Sequence, residues 1–160
     1  MDEQGMPDVA LDTSARPSGQ LVLLIEDNDD HAELLRRALL NTGLPHELLR
    51  LEDGEQALGY LLGPATDLAS RADCALILLD LRLPRVDGLE VLQELRRSGK
   101  DVRVPVVILT TSEADADIAA AYEHGAHAYV VKPADFTSFG ELARDVARFW
   151  LGWNKTPLAG

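Results

Sequence analysis

Apolar residues in this chain gather in five short runs: Leu21-Val22-Leu23-Leu24-Ile25, Glu47 to Leu51, Ala75-Leu76-Ile77-Leu78-Leu79, Val106-Val107-Ile108-Leu109 and Ala128-Tyr129-Val130-Val131. Nearly continuous apolar runs of this length predict strands covered on both faces. The stretches between them carry a helical period instead. Asp29 to Thr42 places Ala32, Leu35, Ala38 and Leu39 on one face and Glu33, Arg36 and Arg37 largely on the other, with a stop at Gly43. Glu52-Asp53-Gly54 turns into a helix carrying Ala57, Leu58, Leu61 and Leu62, and Asp87-Gly88 leads into one with Leu89, Leu92 and Leu95 that runs to Gly99. A fourth helix is expected from about Asp115 to His124. The fifth is expected from Ser138 to Leu151, burying Phe139, Leu142, Ala143, Val146 and Phe149. Residues 63–73 look like a longer loop.

Strands alternating with helices predict a parallel sheet with helices on both faces, because parallel neighbours need crossover connections. In such sheets ligands bind outside the carboxyl ends of the strands, where strand order reverses. Glu26, Asp27, Asp80, Thr110 and Lys132 each end a strand or fall just past one.

A chain of 160 residues suffices for one substantial core and is short for two. The expected division is a flexible leader over 1–19, one domain over 20–152 and a tail over 153–160. With 27 acidic against 15 basic residues the net charge is −12, which argues against nucleic acid and anionic membrane surfaces as partners. No apolar run approaches the ~20 residues that cross a bilayer. The single cysteine, Cys74, cannot form an intramolecular disulfide, and the expected location is cytoplasmic. The four histidines have no paired spacing with cysteine that would make a zinc site.

Glu26 and Asp27 close one strand and Asp80 closes another. If those strands lie side by side, three carboxylates meet in one crevice. Like charges about 4 Å apart repel by roughly 4 kcal/mol per pair at an effective dielectric near 20, so the cluster favours a cation. Oxygen ligands suit a hard ion such as Mg²⁺.

Ile25-Glu26-Asp27-Asn28, Leu78-Leu79-Asp80-Leu81-Arg82-Leu83-Pro84, Asp87-Gly88, Leu109-Thr110-Thr111-Ser112 and Val131-Lys132-Pro133 together give the chain a resemblance to response-regulator receiver domains over about residues 19–150. The resemblance implies a doubly wound, CheY-like (flavodoxin-like) α/β fold with five parallel strands in the order 2-1-3-4-5. It implies that Asp80 is the phosphoacceptor, that Glu26, Asp27, Asp80 and the Arg82 backbone carbonyl hold Mg²⁺, and that Thr110 and Lys132 hold the phosphoryl oxygens. Tyr129 falls at the aromatic switch position. Glu26 stands where Asp is frequent, Arg82 is bulky beside the metal, and Thr111 stands where a small residue is common. These departures bear on the lifetime of the acyl phosphate more than on identity.

The expected function is that of a stand-alone regulator, not an enzyme on external substrates, which accepts a phosphoryl group from a sensor histidine kinase and signals by protein contact. The long loop and the segment Phe149-Trp150-Leu151-Gly152-Trp153 resemble single-domain regulators paired with bacterial phytochromes. Phe149, Trp150 and Trp153 are interface candidates. A homodimer would use them or the face of the fourth helix, fifth strand and fifth helix. His31 reads as a surface residue. The competing function is an Mg²⁺-dependent phosphohydrolase. Such enzymes often place a second acid two residues past the strand-end aspartate, where this chain has Arg82.

Overall fold

The computed structural model describes residues 11–12, 20–63, 74–98 and 104–155. Most of the expected leader, the loop over 64–73, the helix stop at Gly99 and the tail beyond 155 lie outside these residues. Six strands form one sheet: β1 (Leu11–Asp12), β2 (Leu21–Ile25), β3 (Glu47–Leu51), β4 (Cys74–Leu79), β5 (Val106–Thr110) and β6 (Ala128–Val131), in the order β1-β3-β2-β4-β5-β6. Counted without β1, the five parallel strands run 2-1-3-4-5, as expected. The two-residue β1 adds to the edge of β3 antiparallel, inside the segment read as a leader. Two residues are too few to show a period, so β1 has no sequence signature.

The helices are α1 (Asp29–Asn41), α2 (Gly54–Leu62), α3 (Gly88–Arg97), α4 (Asp115–Glu123) and α5 (Phe136–Ala147). Successive strand residues point to opposite faces, and the core divides accordingly. Leu23, Ile25, Ile77, Leu79 and Ile108 pack under α2, α3 and α4, while Val22, Leu24, Leu76, Leu78, Val107 and Leu109 pack under α1 and α5. Four of the helices start on a side-chain cap: Asn28 accepts from His31 N, Asp53 from Gln56 N, Asp87 from Leu89 N and Asp135 from Ser138 N. Such a cap contributes about 1 kcal/mol. α4 starts at Ala114 with no side-chain cap and buries only Ala121.

Two glycines let helix starts press on the loop after β4. A Cβ on Gly88 would stand 2.2 Å from the Asp80 carbonyl oxygen, and one on Gly54 1.7 Å from that of Val86. Neither position admits a side chain without displacing backbone.

The end of the chain departs from expectation. α5 begins two residues earlier than read, at its Asp135 cap, and gives way at Arg148 to a π-helical turn, Arg148–Trp153. Widening the bonding to i→i+5 turns successive side chains through a smaller angle. Leu151, expected outside the packed stripe, is thereby buried beside Ala147, and Phe149, expected in the core, is 48% exposed. Trp150 packs partly on the core and Trp153 is exposed.

Candidate functional site

Parallel register brings the strand ends together. Ile25 pairs with Leu79, Leu79 with Ile108, and Thr110 with Val131, so Glu26, Asp80, Thr110 and Lys132 emerge at one edge of the sheet. Glu26, Asp27 and Asp80 each place a carboxylate oxygen within 4.8 Å of the others. Glu26 and Asp80 are buried and Asp27 is exposed, which leaves one side of the cluster open to solvent.

The buried members share one cation. Lys132 Nζ donates to Glu26 Oε1 at 2.7 Å and to Asp80 Oδ2 at 2.9 Å. The remaining oxygens are also engaged: Asn28 N donates to Glu26 Oε2 at 3.1 Å, and Arg82 N donates to Asp80 Oδ1 at 3.1 Å. Lys132 itself is anchored at its backbone, where its N–H donates to the Thr110 carbonyl at 2.7 Å. Thr110 is fully buried, and its hydroxyl accepts from Ser112 N at 3.4 Å.

Burial pushes Glu26 up to about 7, with the Asp80 charge adding to the rise and Lys132 opposing it. Three carboxylates and one lysine sum to −2, so a divalent cation balances the set. An all-oxygen donor group with one solvent-open side suits Mg²⁺, which keeps several waters. The residues therefore fit the ion, and Glu26, Asp27 and Asp80 would hold it.

Glu26, Asp27, Asp80 and Lys132 are brought together there, and Thr110 meets Lys132 through its backbone carbonyl while its hydroxyl faces Ser112 N. The Arg82 side chain turns away from the carboxylates, and its Nη2 pairs with Asp117 of α4 at 2.6 Å. Asp117 also accepts from the Ser112 hydroxyl at 2.6 Å, and these bonds hold its carboxyl below the usual range. Tyr129 is half-buried and its hydroxyl donates to the Ser112 carbonyl at 2.9 Å. A polar chain thus runs from Asp80 through Arg82, Asp117 and Ser112 to Tyr129. Phe149, Trp150 and Trp153 belong to the π-helical turn of a different segment, after α5.

His31 is the residue the sequence reading missed. Lys132 Nζ donates to His31 Nδ1 at 3.0 Å, and the ring stands edge-on to Phe139 with centroids 5.1 Å apart. Burial and the Lys132 charge hold the imidazole below its ordinary range. One signal was available: His31, Leu35 and Ala38 recur at i, i+4 and i+7, so His31 continues the buried stripe of α1 toward the strand ends.

Residues 22–144 match the response regulator receiver domain model. Among curated proteins, the probable methanogenesis regulatory protein FilR2 of Methanothrix harundinacea is 40% identical over 86% of this chain and 87% of its own length. The response regulator Rcp1 of Synechocystis is 34% identical over 88% of this chain and 95% of its own. A solved Mn²⁺-bound form of Rcp1 superposes with a TM-score of 0.78 at 32% identity, covering 86% of this chain and 99% of that one. The phosphorylated cyanobacterial phytochrome response regulator RcpA gives a TM-score of 0.78 at 34% identity, over 88% and 99%.

Proposed function

Because the chain belongs to the response regulator receiver family, and so acts as a phosphorylated switch in two-component signalling, we propose that Asp80 is its phosphoacceptor and that a phosphohistidine of a sensor histidine kinase is the donor. The observation that carries this assignment is the Lys132 ammonium bridging Asp80 and Glu26 inside a three-carboxylate cluster. Asp80 is the member with the right company: it accepts from the lysine, sits within 4.8 Å of the other two acids, and follows the strand paired with β5, which ends at Thr110. The alternative of a phosphohydrolase on external substrates loses its ground, since the matched family is a phosphoacceptor and the position two residues past Asp80 is Arg82.

In the transfer, an Asp80 carboxylate oxygen attacks phosphorus in line while the bond from phosphorus to the donor imidazole nitrogen breaks. The nitrogen keeps the electron pair and takes up a proton as it leaves. Lys132 gives an N–H and Thr110 its O–H to the equatorial oxygens, where positive charge and donors lower the barrier. Glu26, Asp27, Asp80 and the Arg82 carbonyl would hold Mg²⁺, which would add two positive charges to the site. Self-catalysed hydrolysis would use water in place of the carboxylate, and the Arg82 side chain, held on Asp117, leaves that approach clear.

Switching follows from the polar chain. Movement of Thr110 toward a phosphoryl group draws on the loop whose Ser112 holds Tyr129 and Asp117, and so alters the face of α4, β6 and α5. The partner assigned is a bacterial phytochrome kinase, supported by the phytochrome-linked names of several similar structures. The working location is the cytoplasm; among the described residues no helix is long and apolar enough to cross a membrane. A homodimer through that face, or through Phe149, Trp150 and Trp153, is supported by the exposure of Phe149 and Trp153.

Incubation with acetyl phosphate and Mg²⁺ followed by intact-mass measurement tests the assignment. One phosphoryl group on wild type and none on Asp80→Asn is expected; labelling of Asp80→Asn overturns it. A phytochrome kinase that leaves Asp80 unlabelled while another kinase labels it removes the phytochrome pairing. A monomeric mass by light scattering, with and without a beryllofluoride phosphate mimic, removes the homodimer.

A further inference from the structure

We propose that His31 is a positioning residue for Lys132, holding the ammonium in place by accepting one of its N–H bonds so that the other two stay aimed at Asp80 and the incoming phosphoryl oxygens. The inference rests on the reading of Asp80 as the phosphoacceptor.

An ammonium has three donors and no acceptor. All three are used here, on Glu26 Oε1 at 2.7 Å, Asp80 Oδ2 at 2.9 Å and His31 Nδ1 at 3.0 Å. Since lysine can only donate, Nδ1 must present its lone pair, and the ring proton sits on Nε2. Two of these acceptors are acids that a metal also claims. His31 is the neutral member of the three and lies outside the metal-suited trio. When Glu26 and Asp80 turn part of their oxygen surface to a cation, His31 is what keeps the lysine from following them or swinging outward.

The imidazole is built into that place. Its ring stands edge-on to Phe139, a buried residue of α5, at 5.1 Å between centroids and 76° between planes. The Lys132 ammonium lies 6.0 Å from the same phenyl centroid. The His31 backbone N–H is tied to the Asn28 cap at 3.0 Å, which fixes the first turn of α1 beside Glu26. Backbone, ring face and lone pair are thus each set by a different neighbour.

A packing role and a positioning role make opposite demands on two substitutions. His31→Leu keeps apolar contact with Phe139 and removes the acceptor; His31→Asn gives up the ring and keeps a polar atom near the place of Nδ1. With acetyl phosphate and saturating Mg²⁺, the maximal labelling rate of His31→Leu should fall about tenfold with the half-saturating donor concentration unchanged, within the up to ~10²-fold that a misplaced catalytic group costs. His31→Asn should stay within about threefold of wild type on the same scale. The reverse order, two equal losses or two unaffected variants would each overturn the proposal. A second readout needs neither variant nor metal: in ¹⁵N-labelled wild type, a coupling across the hydrogen bond from Lys132 Nζ to His31 Nδ1 is expected, and a Lys132 ammonium with no such coupling overturns it. Wild type that takes no label on Asp80 defeats the phosphoacceptor reading instead, and the coupling then still reports on the lysine contact.

Discussion

The α1/α5 layer and the α4 edge of the opposite face are held by different forces. On one side α1 and α5 bury Ala32, Leu35, Ala38, Leu39, Phe139, Ala143, Val146 and Ala147 in a single apolar cluster. At the far edge of the other side, α4 buries Ala121 alone, lacks a side-chain cap and covers β6, whose four residues are all half-buried. Polar bonds do much of the holding there. Arg82 and Ser112 meet on Asp117, Tyr129 reaches Ser112, and Arg96 Nη2 donates to the Gly125 carbonyl at 2.7 Å. Apolar burial has no direction and is lost only by separating the layers, whereas a hydrogen bond exchanges partners at a net cost of about 1 kcal/mol. The α1/α5 layer therefore carries the Lys132 contact through Phe139 and His31, while a re-pairable polar edge at α4 lies beside the loop after Asp80. That division is what a switch requires, because one part must hold geometry as another changes.

The sharpest way to break the contrast is Phe139→Ala. It should lower the unfolding free energy by about 3–5 kcal/mol in urea titration, against about 1 kcal/mol for Ala121→Gly in α4. Equal losses would dissolve the distinction between the layers.

Next comes the pH response of the buried acid that shares Lys132 with Asp80. Glu26 holds its proton more tightly in the folded chain, at about 7 against the ordinary 4.5, so unfolding sheds a proton in that interval. Rising pH then favours the unfolded state. The metal-free stability of wild type, relative to Glu26→Gln, should fall from about pH 4.5 to about pH 7 and be level outside that interval. Mg²⁺ affinity, which needs the ionised acid, should climb over the same interval. A stability difference that rises with pH would mean that Lys132 outweighs burial.

Smaller effects belong to the polar layer. Tyr129→Phe removes the bond to the Ser112 carbonyl and should cost about 0.5–1.5 kcal/mol. Amide exchange should quicken over 112–123 and stay unchanged in α1 and α5. Smallest in stability is Asp117→Asn: its Arg82 partner is 57% exposed, so the solvent-screened pair contributes about 0–1 kcal/mol. Its signature is instead faster exchange in the first turn of α4, and slowed exchange there would show that the pair is not a tether.

Much of this arrangement was legible in the order of residues along the chain. Continuous apolar runs give the strands, and the acid-glycine turns at Asp53-Gly54 and Asp87-Gly88 mark two of the helix starts. The strand-end position of Glu26, Asp80, Thr110 and Lys132 follows once the sheet is parallel. What escaped reading depends on partners far away in sequence. His31 sits among exposed acids, and its partner Lys132 lies 101 residues on. The turn after α5 looked like more helix because Phe149 kept the apolar spacing, whereas in the π-helical turn it is Leu151 that is buried. Arg82 seemed a hindrance at the metal until its side chain was found on Asp117.

The bare α-carbons of Gly54 and Gly88 carry a lesson for transplantation. Each lets a helix nose up to the loop that follows β4, one of them against the Asp80 carbonyl itself. An engineer who grafts the acids and the lysine onto a new scaffold without those two gaps would inherit the charges but not the tilt of the peptide that aims them.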